Sequence, residues 1–286
     1  MKLQKIFSDW IIGVAITLIF LFAAFSEEFN FHHTLEMKSY DLRAWLAASD
    51  EKSPDIELVV ITDNDINELG RWPWPRNIIA KCIDKLHEAG ARVIALNIFL
   101  SEPEENAGLE AIKNLKMEFD KLQLAQRENK GLVFYQKMTD AENDLDNDGK
   151  LERAIKNAGN VVVPFLFDNV SLERDDKAPP FILRDSYKKI FHGEESDSDI
   201  EWYDKIIPPL RRFAEVAAGT GHNQLVPDKG DGYLRKQKHV LGYLDNIYVP
   251  SYPVAIARLF KGLNNDKVML SLGEKGGKYI DFNVSQ

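Results

Sequence analysis

Three consecutive stretches limit the folds open to this chain. IELVVIT (56–62) and RVIALNIFL (92–100) are β-branched, apolar runs of strand length. Between them Ile78, Ile79, Cys82, Ile83 and Leu86 recur at helical spacing, with Gly90 where a helix ends. Strand, amphipathic helix and strand in that order predict a βαβ unit, with parallel strands and a right-handed crossover. NVVVPFLF (160–167) adds a third core strand, and 151–158 a helix before it. Residues 107–128 read as a long charged helix, and 208–219 and SYPVAIARLFKG (251–262) as further helices. A hairpin is expected over 233–250, and VMLSLG and KYIDFNV read as terminal strands. The predicted class is α/β, a mixed and partly parallel sheet flanked by helices. DNDINELGRWPWPR, after the first strand, reads as a loop, and the acidic, Ser-containing 168–204 stretch as a solvated insertion. The pattern shows no internal repeat and no domain boundary within 29–286.

Ahead of this lies WIIGVAITLIFLFAAF (10–25), without a charged residue, preceded by Lys2 and Lys5 and followed by Glu27 and Glu28. That length and charge asymmetry predict one N-terminal transmembrane helix over 10–28, tethering the fold. Residues 1–9 are then cytoplasmic and 29–286 extracytoplasmic. A cleaved signal peptide is the other reading; Ala23-Ala24 are small, but no clear A-x-A site follows. EMKSYDLRAWLAA (36–48) has helical spacing and leads from the membrane to the domain. A net charge of -9 argues against nucleic acid as a partner. Cys82 is the only cysteine, so neither an internal disulfide nor a cysteine metal cluster can form; its place on the apolar helix face assigns it to the core.

Few residues carry an evident chemistry. DLDNDG (144–149) opens like a calcium loop, but Ile155 stands where the bidentate glutamate is needed, so an acidic turn capping a helix fits better and leaves only weak calcium binding. Ligands of open α/β sheets sit at the carboxyl ends of the strands. Those ends offer Asp63 and Asp65 after the first strand, and Asn97 and Glu102 at the second. The three acids could gather around a hard cation or serve acid–base chemistry; they could equally cap turns in water. No cofactor is implied, and no residue is assigned as catalytic or metal-binding. His222 and His239 are too far apart in sequence to define a site. RWPWPR (71–76) is held out of the α region before each proline, which favours a stiff extended segment with its indoles against the domain. Its terminal Arg76 could hold an anion bidentately or pair with Asp63 or Asp65.

Taken together, LGRWPWPR, the following helix with Leu86, Gly90 and Ala91, the strand closing on SEP, AGNVVVP (158–164), GHNQLVPDKGDGYLRK (221–236) and SYPVAIARL (251–259) resemble the CHASE type 2 domain, the cyclase/histidine-kinase-associated sensory extracellular domain. The likeness spans about 40–260. It departs at Thr62 and Asn97, where the family tends to carry acids, so a pocket lined by those positions carries two fewer negative charges here. The resemblance implies a sensory module without catalysis of its own, relaying a stimulus to a cytoplasmic cyclase, kinase or phosphatase beyond this chain. The chain is then a receptor fragment or truncated form, with the membrane, a homodimer and an unknown small-molecule or environmental stimulus as partners. Candidate ligand-binding residues are Asp63, Asp65, Arg76, Asn97 and Glu102, with Asn223, Asp231 and Arg235 added from the glycine–asparagine–arginine run. A metal-assisted hydrolase using the strand-end carboxylates, and a ligand-free dimerisation module, are the competing readings.

Overall fold

The computed structural model describes residues 10–18, 20, 31–49, 51–123, 129–192, 200–228, 230–272 and 278–281. The chain divides into two compact units, one of residues up to Ile61 together with Val226–Lys236, the other of Thr62–Leu225 and Gln237 onward. The sequence does not show this division, because an eleven-residue excursion at 226–236 is too short to change composition or periodicity.

In the first unit residues 10–18 are helical, and helix α1 (Phe31–Ala47) covers the expected 36–48 segment with an earlier start. Among the described residues no helix is long and apolar enough to cross a membrane. Positions 19 and 21–28 of the expected 10–28 span lie outside the described residues. The strand expected at 56–62 does not form, and its side chains face solvent, Leu58 at 79% and Val59 at 61% exposure. A β-branched run realises its strand preference only where neighbouring strands and packed side chains receive it. Among the described residues none does so here, and the segment stays irregular.

The second unit begins with α2 (Asp63–Leu69) in place of the expected loop. Thr62 accepts from the Asp65 backbone N–H while the Asp65 carboxylate accepts from the Thr62 N–H, a reciprocal cap that starts the helix. Helix α3 (Arg76–Glu88) follows Pro75 and buries Ile79, Ala80 and Ile83. Cys82 lies outside that buried stripe and is exposed, so it is not the core residue its spacing suggested. Gly90, at φ 84°, turns the chain out of the helix as expected. Strand β1 (Ile94–Ala95) is much shorter than its apolar run. Helix α4 (Ala107–Lys121) ends before the expected 128. Helix α5 (Asn129–Leu145) escaped the sequence reading because Leu132, Val133 and Phe134 are consecutive rather than helically spaced, and all three are exposed. Helix α6 (Asn147–Ala158) then leads into β2 (Val161–Phe167), the central strand.

The 168–204 stretch is not simply solvated. Helix α7 (Pro180–Asp185) buries Phe181 and Ile182, strand β3 (Lys189–His192) follows, and β4 (Trp202–Tyr203) buries Tyr203. Beyond it come β5 (Ile206–Ile207), α8 (Arg211–Val216), shorter than the expected 208–219, and β6 (Gly219–His222). The expected hairpin forms as β7 (Val240–Tyr243) and β8 (Ile247–Pro250), and the expected helix as α9 (Tyr252–Phe260). The terminal strands are β9 (Met269–Leu272) and β10 (Lys278–Asp281).

Strand β2 pairs in parallel with β1 and with β6, and antiparallel with β5. The parallel neighbour of the 92–100 segment is therefore the third predicted strand, not the first. Successive β2 side chains face opposite sides. Val161 and Val163 pack with Ile79, Ile83, Leu151, Ile155 and Phe213 from α3, α6 and α8. Val162 packs with Tyr252 and Ala255 of α9 on the other side. Helices on both faces are what a parallel sheet requires. The GTGH sequence of β6 follows from how tightly α9 approaches: a Cβ at Gly221 would lie 2.7 Å from the Tyr252 Cα. Two small sheets complete the unit among the described residues, β4–β7–β8 and β3–β9–β10.

Candidate functional site

The carboxyl ends of the parallel strands bring together residues that the sequence separates widely. Asn223, just past β6, donates from its side-chain amide to the Asn97 Oδ1 beyond β1 at 3.0 Å, across 126 residues. The Asn223 backbone N–H continues the ladder to the Phe165 carbonyl at 2.9 Å, and Gln224 accepts from the Phe167 N–H at 3.2 Å. Two of the predicted ligand residues, Asn97 and Asn223, thus bond to each other. Both are uncharged amides, able to donate and to accept.

His222 occupies the last position of β6 and is completely buried. Among the described residues neither of its ring nitrogens has a hydrogen-bond partner. Its ring lies 5.8 Å from that of Phe167, and its backbone bridges to Ser251 ahead of α9. Ser251 in turn holds His239, whose Nδ1 is 3.0 Å from the Ser251 Oγ. Desolvation first, and the neighbouring His239 second, push the His222 imidazolium down to about 3. The two histidines, too distant in sequence to be grouped, are neighbours in space. A strand register linking 222 to 251 was the missing information.

The acidic candidates are not assembled. Asp65 is engaged in the α2 cap, which holds its carboxyl below the usual range through the Thr62 hydroxyl and backbone N–H. Asp63 and Glu102 are exposed. Among the described residues no group of three His, Cys, Asp or Glu could hold a metal ion.

Arg76 meets neither Asp63 nor Asp65. Its guanidinium donates to the Asp148 carboxylate at 2.7 Å and to the Glu102 carbonyl, and lies 5.3 Å from the Phe213 ring centre. Its backbone N–H donates to Glu104, whose other oxygen accepts from Asn147 at 2.6 Å. Asp148 also accepts from the Glu104 N–H at 3.2 Å. The second acid of the calcium-like turn is Asp146, which caps α6 through the Gly149 N–H, so the capping reading of DLDNDG holds. Trp72 packs against the α3–α6–α8 core and meets Trp74 edge-on at 5.6 Å, and the Trp74 indole donates to the Gly70 carbonyl at 2.7 Å. RWPWPR is thus pinned at both indoles and at its final arginine.

Asp231 and Arg235 belong to the first unit. The Arg235 guanidinium donates to both oxygens of Asp41 on α1, at 2.7 and 2.8 Å, and to both oxygens of Asp231, at 2.8 and 2.6 Å. Its side chain is only 6% exposed. Hydrogen bonding to Arg235 is the leading cause that lowers both carboxyls, and the two carboxylates raise Arg235. This fork ties the 226–236 excursion to α1, from one end of the sequence to the other. Its Asp41 arm was not foreseen, because nothing in YDLRAW marks that aspartate as a partner for a residue 194 positions away.

The CHASE2 domain model matches residues 14–285 of the chain. No curated protein and no solved structure matches it.

Proposed function

Because the chain belongs to the CHASE2 domain family, a family of extracellular sensory domains, we propose that it is the membrane-anchored, extracytoplasmic sensor part of a signal-transduction receptor. The family match over nearly the whole chain carries this reading. In it, the apolar 10–28 segment crosses the inner membrane with residues 1–9 inside, and α1 leads outward to the sensor. The receptor works as a homodimer and passes a small-molecule or environmental stimulus to a cytoplasmic cyclase, kinase or phosphatase. The Arg235 fork supports a relay role for α1, since it binds the sensor's long excursion to the helix that follows the apolar segment. The engagement of Asp65 in a helix cap and the exposure of Asp63 and Glu102 favour sensing over metal-assisted hydrolysis.

Reporter fusions test this reading. A phosphatase active only outside the cytoplasm, fused after Ser53, is expected to be active in cells carrying the 1–53 segment. It is expected to be inactive when fused after Asp9. The opposite pattern, or a Ser53 fusion cleaved near Ala23-Ala24 and released, removes the anchored-receptor reading.

A further inference from the structure

His222 is an ionisable group in a place that accepts no charge. Its ring is buried, both nitrogens lack partners among the described residues, and a ring neighbour is Phe167. Among the described residues, the elements packed against β6 offer no free carboxylate to offset a proton there. From α7, Asp185 is committed to the Thr220 N–H and hydroxyl, both at 2.8 Å, and to Arg184. From α9, Arg258 lies over Gly219 and pairs with Asp185, while the Tyr252 hydroxyl donates to the Val162 carbonyl. Strand β8 brings Tyr248, packed edge-on against Trp202. Strand β2 presents Phe165 and Phe167, which do not titrate. The remaining neighbour, His239, is engaged at its Nδ1 with the Ser251 hydroxyl and brings no negative charge. An unpaired charge in such surroundings is relieved by opening the structure.

What would open is the end of β6, where small contacts converge. They are the His222–Ser251 bridge, the Asn97–Asn223 bond, the Gln224 bond to Phe167 and the His239–Ser251 bond. The chain enters the 226–236 excursion immediately after Leu225, so this strand end is the root of the segment that Arg235 fastens to α1.

We propose that His222 is a proton-operated latch, closed when neutral, whose protonation in a mildly acidic medium frees the end of β6 and the bonds beside it. The stimulus this assigns is the proton itself. Its meaning as a signal rests on the sensor reading above, but the latch is a property of the fold and is tested without any effector. The sign follows from the buried, apolar surroundings of the ring: the open state binds the proton at the ordinary histidine value and the closed state does not. Opening is therefore favoured as pH falls below about 6.5.

Amide hydrogen exchange on the full chain in detergent, corrected for the intrinsic pH dependence of exchange, measures this directly. From pH 7 to pH 5 the opening of residues 219–225 is expected to rise roughly 25-fold, the factor that one histidine released from burial supplies. Core amides of α6 should not follow. In His222→Leu and His222→Phe, two apolar replacements of which at least one should fit the site, the rise is expected to vanish. In His239→Gln it is expected to persist. A wild-type chain whose 219–225 opening is flat in pH overturns the proposal. So does a rise that survives both His222 variants, or one abolished by His239→Gln alone. None of these outcomes bears on the fusion experiment, and reversed fusions would leave the latch standing.

Discussion

Arg76 and Arg235 look alike in the sequence, each a cation near acidic turns, and the fold uses them in opposite ways. Arg76 is surrounded by the packed unit it belongs to. One carboxylate, one carbonyl and one aromatic face receive its guanidinium, and its backbone N–H donates to Glu104. Arg235 lies over the Tyr233 ring and grips two carboxylates, one four residues away and one on α1, 194 positions away. The first arginine is an internal brace of the α3–α6 contact. The second is a fastener between segments that the sequence keeps apart, so removing it should release motion more than it costs folding.

The largest effect that can break the comparison is at the brace. Arg76→Met keeps the length of the side chain but leaves Asp148 buried without its cation. Losing one member of a buried pair costs about 3–5 kcal/mol. Chemical denaturation of the full chain should show that loss, and Asp148→Asn added to Arg76→Met should restore a good part of it. If Arg76→Met unfolds at the wild-type midpoint, the guanidinium is not the brace described, and a ligand role for it returns.

How legible these roles were in the sequence depends on the range of the interaction. Local physics was readable: the end of α3 at Gly90, the cap of α6 by Asp146, the hairpin and the α9 helix all follow from residues within a few positions of one another. The central strand was readable too, since VVVPFLF is buried on both faces and shows it. What could not be read was pairing at a distance. IELVVIT has the composition of a core strand, but composition does not supply the neighbour, and the run is left exposed. Asn97 and Asn223 were each picked from strand-end position, yet their mutual bond needed the sheet order β1–β2–β6. Tyr187, Ile200 and Tyr203 are buried although they sit in an acidic stretch that reads as solvated, because the charges around them alternate with a few large side chains that reach the core.

The next effect in size concerns pH, and it separates the two regions. His222 is lowered to about 3 from 6.5, so its contribution is fully present above 6.5 and is lost as pH falls through the interval toward 3. At pH 5 that amounts to about 2 kcal/mol of lost stability at the β6 end. The Asp41 and Asp231 carboxyls are lowered from 3.8, so the fork they make with Arg235 is intact above that value and loosens only as pH drops through their lower folded values. Titrating from pH 7 to 4 should therefore loosen residues 219–225 while the fork holds. Exchange profiles showing residues 226–236 and α1 released first would reverse the assignment.

Asn97→Ala is a smaller change in the same place. It takes away a partly solvated amide bond, worth about 0.5–1.5 kcal/mol, and leaves the Asn223 amide to water. The midpoint of unfolding should move slightly, and the pH dependence assigned to His222 should remain with its usual sign, shifted toward easier opening. A pH dependence that disappears with Asn97 would show that protonation of His222 alone does not open the strand end.

Arg235→Gln should be the mildest of all in overall stability, and the most specific in where it acts. Glutamine can still donate to one carboxylate, but it loses the fork that grips Asp41 and Asp231 together, and the two carboxyls lose the cause that lowers them. The unfolding midpoint is expected to stay near that of the wild type. Exchange protection is expected to fall in 226–236 and in the part of α1 around Asp41, and nowhere in α3, α6 or β2. Asp41→Asn should reproduce the α1 part of that pattern, because it removes one arm while Asp231 keeps the excursion folded on itself. Should Arg235→Gln instead lower the midpoint as far as Arg76→Met does, the two arginines would be the same kind of brace. The 226–236 excursion would then be a piece of the packed core rather than a fastened strap.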